Sequence, residues 1–317
     1  MSDDRHASGD QTTSSGRVAV PSEAQRSRGI TPPVHPHAAD HTGSTLRNNV
    51  MRDRIAITLA LGLASLRSEF QYRANALSSV LGGILFQITG FVVVWIIVDR
   101  FNQIGGWTLS EMTFLYGMRL TSHGIFYLCF SQMFELDGVL ISGEYDRFLV
   151  RPLSPLLQLF TRKLRVNCFG DLIGGIALLA VATPRVDIAW TPLAAAFLVL
   201  AVIGGALVEG AVQVTLGSLS FRFLNLIAVR AMVNEVFNQY GNYPQKIFPT
   251  GLQLVLTFAL PVAFVAYFPA SVLLERTNEI IVVPWLAAVA PLVGLALYLV
   301  ALRIWQRASR GYQSAGT

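Results

Sequence analysis

Arg119 and His123 stand four residues apart inside an apolar run, Phe114-Leu-Tyr-Gly-Met-Arg-Leu-Thr-Ser-His-Gly-Ile-Phe-Tyr-Leu-Cys-Phe130. That spacing puts both side chains on one face of a helix. A lipid-facing arginine at bilayer depth costs roughly 2.5–3.5 kcal/mol on insertion scales, so Arg119 is expected to face protein or a water-filled path. Glu209, set among Gly204, Gly205, Ala206 and Gly210, is a third ionisable residue of this kind. A guanidinium, an imidazole and a carboxylate at such depth could line a polar path or contact an anionic group of a bound molecule. They could equally pair with one another as static contacts of a helix bundle, and proton relay is a further chemical option.

No complete catalytic set accompanies them. His-Glu-x-x-His is missing, no signature joins a nucleophile to a base, and no Gly-x-x-x-x-Gly-Lys-Ser/Thr phosphate loop occurs. Cys129 and Cys168 lack CxxC spacing and are expected as buried small hydrophobes. His35, His37 and His41 fall in a polar tail without a scaffold or a cysteine partner, so no metal site is expected there. The chain is read as binding no cofactor of its own.

The elements that must hold these residues are written in the composition. Of 317 residues 53% are hydrophobic and only 14% charged, far more apolar than a soluble domain tolerates. The formal charge of +5 is nearly all arginine, the only lysines being Lys163 and Lys246. These cations lie mostly just outside the apolar runs, which is the pattern of membrane topology and not of a nucleic-acid-binding surface.

The expected fold is all-α, a polytopic membrane protein with six transmembrane helices, an amino-terminal connecting helix and short cytoplasmic coupling elements. The spans are expected at Ala76 to Val98, Thr113 to Leu136, Val166 to Thr183, Leu193 to Leu216, Ile247 to Phe268 and Pro284 to Leu302. Each is near the twenty residues a bilayer core requires. Continuous apolar runs of this length exclude the short alternating strands of a membrane barrel.

Four regions follow: a disordered cytoplasmic tail over 1–46, an amphipathic connecting helix over 47–75, the membrane domain over 76–303, and a cytoplasmic carboxyl-terminal tail over 304–317. No cleavable signal pattern is found, so the first span is expected to act as its own insertion signal. With both termini inside, 16 basic residues flank the spans on the cytoplasmic side against three outside, Arg100, Arg185 and Arg276. Gly217 to Lys246 is expected to be cytoplasmic or interfacial, and Phe268 to Val283 an outer loop, partly re-entrant. The five tryptophans, Trp95, Trp107, Trp190, Trp285 and Trp305, are expected mostly as interfacial anchors.

The loop after the second span reads Asp137-Gly-Val-Leu-Ile-Ser-Gly-Glu-Tyr-Asp-Arg-Phe-Leu-Val-Arg-Pro-Leu-Ser-Pro155. Gly143 can break a descending helix, Glu144 and Asp146 offer acceptors, Arg147 and Arg151 donors, and Pro152 and Pro155 stiffen the chain. This stretch, together with the ending Arg310-Gly-Tyr-Gln-Ser-Ala-Gly316, resembles the membrane (permease) subunits of type-2 ATP-binding-cassette exporters, six-span subgroup, over residues 51–317. The resemblance implies a substrate path formed with a second permease subunit, identical or homologous, in a prokaryotic plasma membrane. It implies that ATP and Mg are bound by separate cytoplasmic ATPase subunits. Gly143, Glu144, Asp146, Arg151, Pro152 and Leu153 would lie at the element that meets them, with 67–73 touching the same partner. A non-transport membrane scaffold is the alternative, and a lipid-modifying enzyme built on Arg119, His123 and Glu209 a more distant one.

Overall fold

The computed structural model describes residues 60, 62–65, 67–68, 71, 73–101, 103–163, 165–223 and 225–312, all within one compact unit, Met51–Thr317. The 1–46 tail and most of the expected connecting helix lie outside these residues. The described residues form helices and contain no strand. Among the described residues, four helical stretches are long and apolar enough to cross a membrane: Ala76–Val93 within α1 (Arg73–Phe101), Leu109–Ile141, Cys168–Arg185 and Pro192–Leu219.

The second of these begins at α2 (Leu109–Phe130), opened by a capping box in which Thr108 and Glu111 satisfy each other's backbone amides. It continues through a 3-10 turn into α3 (Leu136–Ile141). Thirty-three residues at 1.5 Å rise make about 50 Å, against about 30 Å of hydrocarbon, so its last turns must project out of the apolar layer. Short helices α4 (Tyr145–Leu149) and α5 (Pro155–Thr161) follow, then α6 (Cys168–Ala182) and α7 (Pro192–Leu219).

Small residues bring these helices into backbone contact. A Cβ added to Gly175 of α6 would lie 2.6 Å from the Thr121 amide of α2. One added to Gly204 of α7 would lie 2.6 Å from Cα of Pro291 in α12 (Ala290–Arg310). Without a hydrophobic force between helices in lipid, such close packing is what holds them. Gly204→Val is therefore expected to cost about 1–3 kcal/mol by overpacking, read as a lower unfolding temperature in detergent. Gly82→Ala, where an added Cβ meets nothing within 4 Å, serves as a neutral control.

The segment Gly217 to Lys246, expected to be cytoplasmic or interfacial, contains helix α8 (Ile227–Tyr240), which lies antiparallel along the α2–α3 rod. Arg230 meets Met133 and Asp137, Asn234 meets the Tyr127 hydroxyl, and Asn238 meets Arg119. Beyond the helix, a Cβ on Gly105 would touch the Ile247 side chain, and Lys246 Nζ lies 3.4 Å from Glu279. Residues 230–247 thus run along the α2–α3 rod, from Asp137 in α3 to the Trp107 end of α2. Lys246, expected beside the cytoplasmic cations, sits at the opposite end from Arg230.

The run Ile247 to Phe268, expected as one span, is instead two helical pieces, Thr250–Ala259, which begins with α9 (Thr250–Leu254), and Val262–Leu273, which ends in α10 (Tyr267–Leu273). They are bent by 75° at a break beside Pro261, whose missing N–H cannot continue a helix ladder. If the pair is counted as one crossing, the candidate spans among the described residues number five. Both its ends nevertheless lie at the Trp107 end of α2. Arg276, just past it, donates from Nε to Glu111 at 2.7 Å, and Glu279 accepts from Trp107 Nε1 at 3.1 Å. The run Pro284 to Leu302 begins with a separate turn, α11 (Pro284–Ala288), and α12 then extends to Arg310, past the expected boundary at 303.

Burial divides the residues of two smaller expectations. Trp107 and Trp305 are core residues, while Trp95, Trp190 and Trp285 are exposed as anchors would be. Cys168 is buried, but Cys129 is exposed on the surface of α2.

Candidate functional site

Gly143 ends the α2–α3 rod with φ +68°, a left-handed conformation that side-chain-bearing residues adopt only with strain. The chain turns there, and the six residues from Gly143 to Leu153 singled out in the sequence lie on one loop. Its underside is fixed. Tyr145 is fully buried, with ring centroids 4.9 Å from Tyr312 and 5.2 Å from Phe221; Phe221 in turn lies 4.9 Å from Trp305. Burial pushes the Tyr145 hydroxyl up to about 12, so it stays neutral. Burial and the neighbouring Asp146 carboxylate likewise push the Tyr312 hydroxyl up.

Side chains clamp the rest of the loop. Glu144 accepts from Arg162 Nη2 at 2.6 Å, and Gln158 Nε2 donates to the carbonyls of Phe148 (2.9 Å) and Leu153 (2.8 Å). Ser154 caps α5, with Pro155 at its first position. The other side is open: Ile141, Leu149, Val150, Arg151 and Pro152 are exposed, Val150 to 85%. A rigid loop thus presents an apolar and basic face while its back is wedged against the ends of α7 and α12. The aromatic wedge and the Gln158 clamp were not singled out in the sequence. Only the Tyr and Phe residues interleaved with the charges could have signalled them.

Deeper in the bundle, Arg119 and His123 share a face but turn to different neighbours. His123 Nδ1 lies 2.6 Å from Glu209 of α7, both side chains at most 5% exposed. Arg119, also buried, donates to Asn238 of α8. A second buried pair has no counterpart among the residues selected from sequence. Arg230 Nη2 lies 2.6 Å from Asp137 Oδ2, both side chains 0% exposed, and Arg230 also donates to the Met133 carbonyl. It joins the base of the projecting rod to the first turn of α8.

Between α1, α2, α6 and α8 opens a cleft of about 1170 Å³. Its deep half is lined by Gln87, His123, Tyr127, Asp171 and Asn238, and its mouth by Glu135, Arg162, Lys163 and Arg165. Gln87 Nε2 donates to Asp171 at 2.8 Å and its Oε1 accepts from the Tyr116 hydroxyl at 3.2 Å. Arg165 pairs with Glu135. Such a polar lining among apolar helices can bind a polar group or let one pass.

No curated protein and no solved structure matches the chain. A family model described as an ABC-2 family transporter protein matches residues 84–316. That stretch takes in the rod, the Gly143 loop, most of the cleft and α12, and on it the chain belongs to the ABC-2 transporter family.

Proposed function

We propose that this permease component of an ABC transporter works in an exporter, forming the substrate path with a second permease subunit, identical or homologous. Separate cytoplasmic ATPase subunits hold ATP and Mg and carry out hydrolysis. The observation that carries this reading is the Gly143 to Pro155 loop, an exposed apolar and basic face on a rigid base.

In this reading six segments cross a prokaryotic plasma membrane: α1, α2, α6, α7, residues 227–247 and α12. Residues 250–273 dip into it from outside, and both termini are cytoplasmic. Moving Lys246 outward leaves 15 flanking cations inside against four outside, so the charge bias survives. ATP binding draws the ATPases together and pushes on Val150, Arg151 and Pro152. The push passes through the Tyr145 wedge to α7 and α12, through Glu144 to Arg162, and along the rod to Arg230 and α8. Differential affinity of the ATPases for two arrangements of these helices drives the change.

The test is copurification with the partner ATPase, followed by ATPase and transport assays in vesicles. Arg151→Ala and Glu144→Ala are expected to leave a folded membrane protein whose ATP-dependent transport falls about tenfold, equivalent to about 1.4 kcal/mol of lost docking or coupling. Complex formation and transport unchanged in both variants would overturn the assignment of the loop.

A further inference from the structure

The ends of α7 and α12 enclose a second recess, apart from the polar cleft. It is a groove of about 520 Å³ lined chiefly by Leu219, Phe221, Arg222, Ile304, Arg307 and Gly311. We propose that it seats an anionic phospholipid, with the phosphate between the Arg222 and Arg307 guanidiniums and the acyl chains along the apolar face of α12. The proposal rests on the permease reading above, whose topology puts both helix ends at the cytoplasmic leaflet.

Two independent observations meet in this groove. The first is positive charge without a partner. Arg222 and Arg307 are exposed, and among the described residues neither forms an ion pair, whereas Arg162, Arg165 and Arg230 are each engaged by a carboxylate. The Arg222 guanidinium instead lies 5.9 Å from the centroid of the Phe223 ring. A phosphate diester accepts from guanidinium N–H groups in the forked geometry that carboxylates use.

The second is an apolar wall leading to those cations. Val300, Ile304, Arg307 and Gly311 are spaced to share one face of α12. Val300 and Ile304 are 50% and 38% exposed, and Leu219 at the end of α7 is 40% exposed. The face is apolar along the helix and cationic at its end, the order in which a phospholipid presents chains and phosphate. Arg307 and Arg310 in the last turn also complement the α12 dipole. The dipole accounts for cations there but not for the exposed apolar side chains beside them. Phe221 links the groove to the coupling loop, its ring lying 5.2 Å from Tyr145 and 4.9 Å from Trp305. A lipid seated here therefore braces the back of the Gly143 loop.

The test uses the purified full chain in lipid nanodiscs without any ATPase. Two probes share the same diazirine-bearing acyl chains and differ in head, phosphatidylglycerol against phosphatidylcholine. With two guanidiniums at the site, the phosphatidylglycerol probe is expected to label the peptide around Val300 to Ile304 about tenfold more than the other. Arg222→Gln with Arg307→Gln is expected to abolish that preference at an unchanged unfolding temperature, since both side chains are exposed. Arg100→Gln with Arg185→Gln, which removes the same charge from exposed positions elsewhere, is expected to leave the preference intact. The label sits in the acyl chain, so free phosphate does not produce the signal. Equal labelling by the two probes, or an undiminished preference in the Arg222, Arg307 variant, would overturn the proposal. An undiminished preference together with lost ATPase copurification would make the groove a protein-docking surface instead. Neither an ATPase nor a difference between leaflets enters the labelling, so its failure leaves the docking test untouched, and failure of docking leaves the labelling result standing.

Discussion

Arg230→Met is expected to destabilise the protein by about 3–5 kcal/mol, because it strands the Asp137 carboxylate in a site with no exposure. The loss would be read as an earlier transition in detergent thermal unfolding. Asp137→Leu alone should cost a similar amount by stranding the guanidinium. The double variant Arg230→Met, Asp137→Leu should recover most of the stability. Although Nη2 lies 2.6 Å from Oδ2, Arg230 Nε and Nη2 and both Asp137 oxygens make no well-directed hydrogen bond, so the pair is not so well satisfied that apolar packing cannot replace it. Stability and coupling should then separate: the double variant folds, yet the polar tie between the rod and α8 is gone, and ATP-driven transport falls while ATPase docking persists. Full transport in the double variant would remove this pair from the transmission route.

A cysteine in place of Lys246 is expected to react with a membrane-impermeant thiol reagent added outside intact cells, whereas one in place of Arg151 is expected to react only after permeabilisation. The contrast should be all or none, since the two positions flank a bilayer in the proposed topology. A background free of Cys129, the exposed native thiol, is required. The prediction follows from contacts at the Trp107 end of α2. There Lys246 and Arg276 share the Glu279 carboxylate, and Arg276 also binds Glu111 at the helix start. If Lys246 labelled only from inside, α8 would not be a crossing, and the bent pair 250–273 would have to carry the chain through the membrane.

Much was legible from residues alone. The runs within α1, α2, α6 and α7 have the length and hydropathy of membrane helices, and local composition suffices to recognise them. The Gly143 loop was legible for the same reason, its signal being local: a glycine at the break, alternating charges, then prolines. His123 and Arg119 were legible as residues that must be satisfied inside the bundle, because any buried charge must be.

The path of 227–247 and the bend at Pro261 were not legible. Residues 227–247 carry Arg230, Asn234, Asn238 and Asn242 at intervals of four, which by hydropathy resembles an exposed surface. That stripe is polar because it faces Asp137, Tyr127 and Arg119 on another helix, a fact that no single segment contains. Residues 250–273 are apolar enough to span, and only their contacts at both ends show them returning to the end from which they start.

The amino-acid order by itself determined that this chain dissolves in lipid as helices, where its basic flanks fall and where its stiff polar loop stands. Each is a property of a short stretch and its solvent. Tertiary structure alone decided which charge meets which, that Arg119 goes to Asn238 while His123 goes to Glu209, and that α8 supplies a wall of the polar cleft. Those outcomes depend on residues about 90 to 120 positions apart converging in space, and burial forces the pairing without naming the partner.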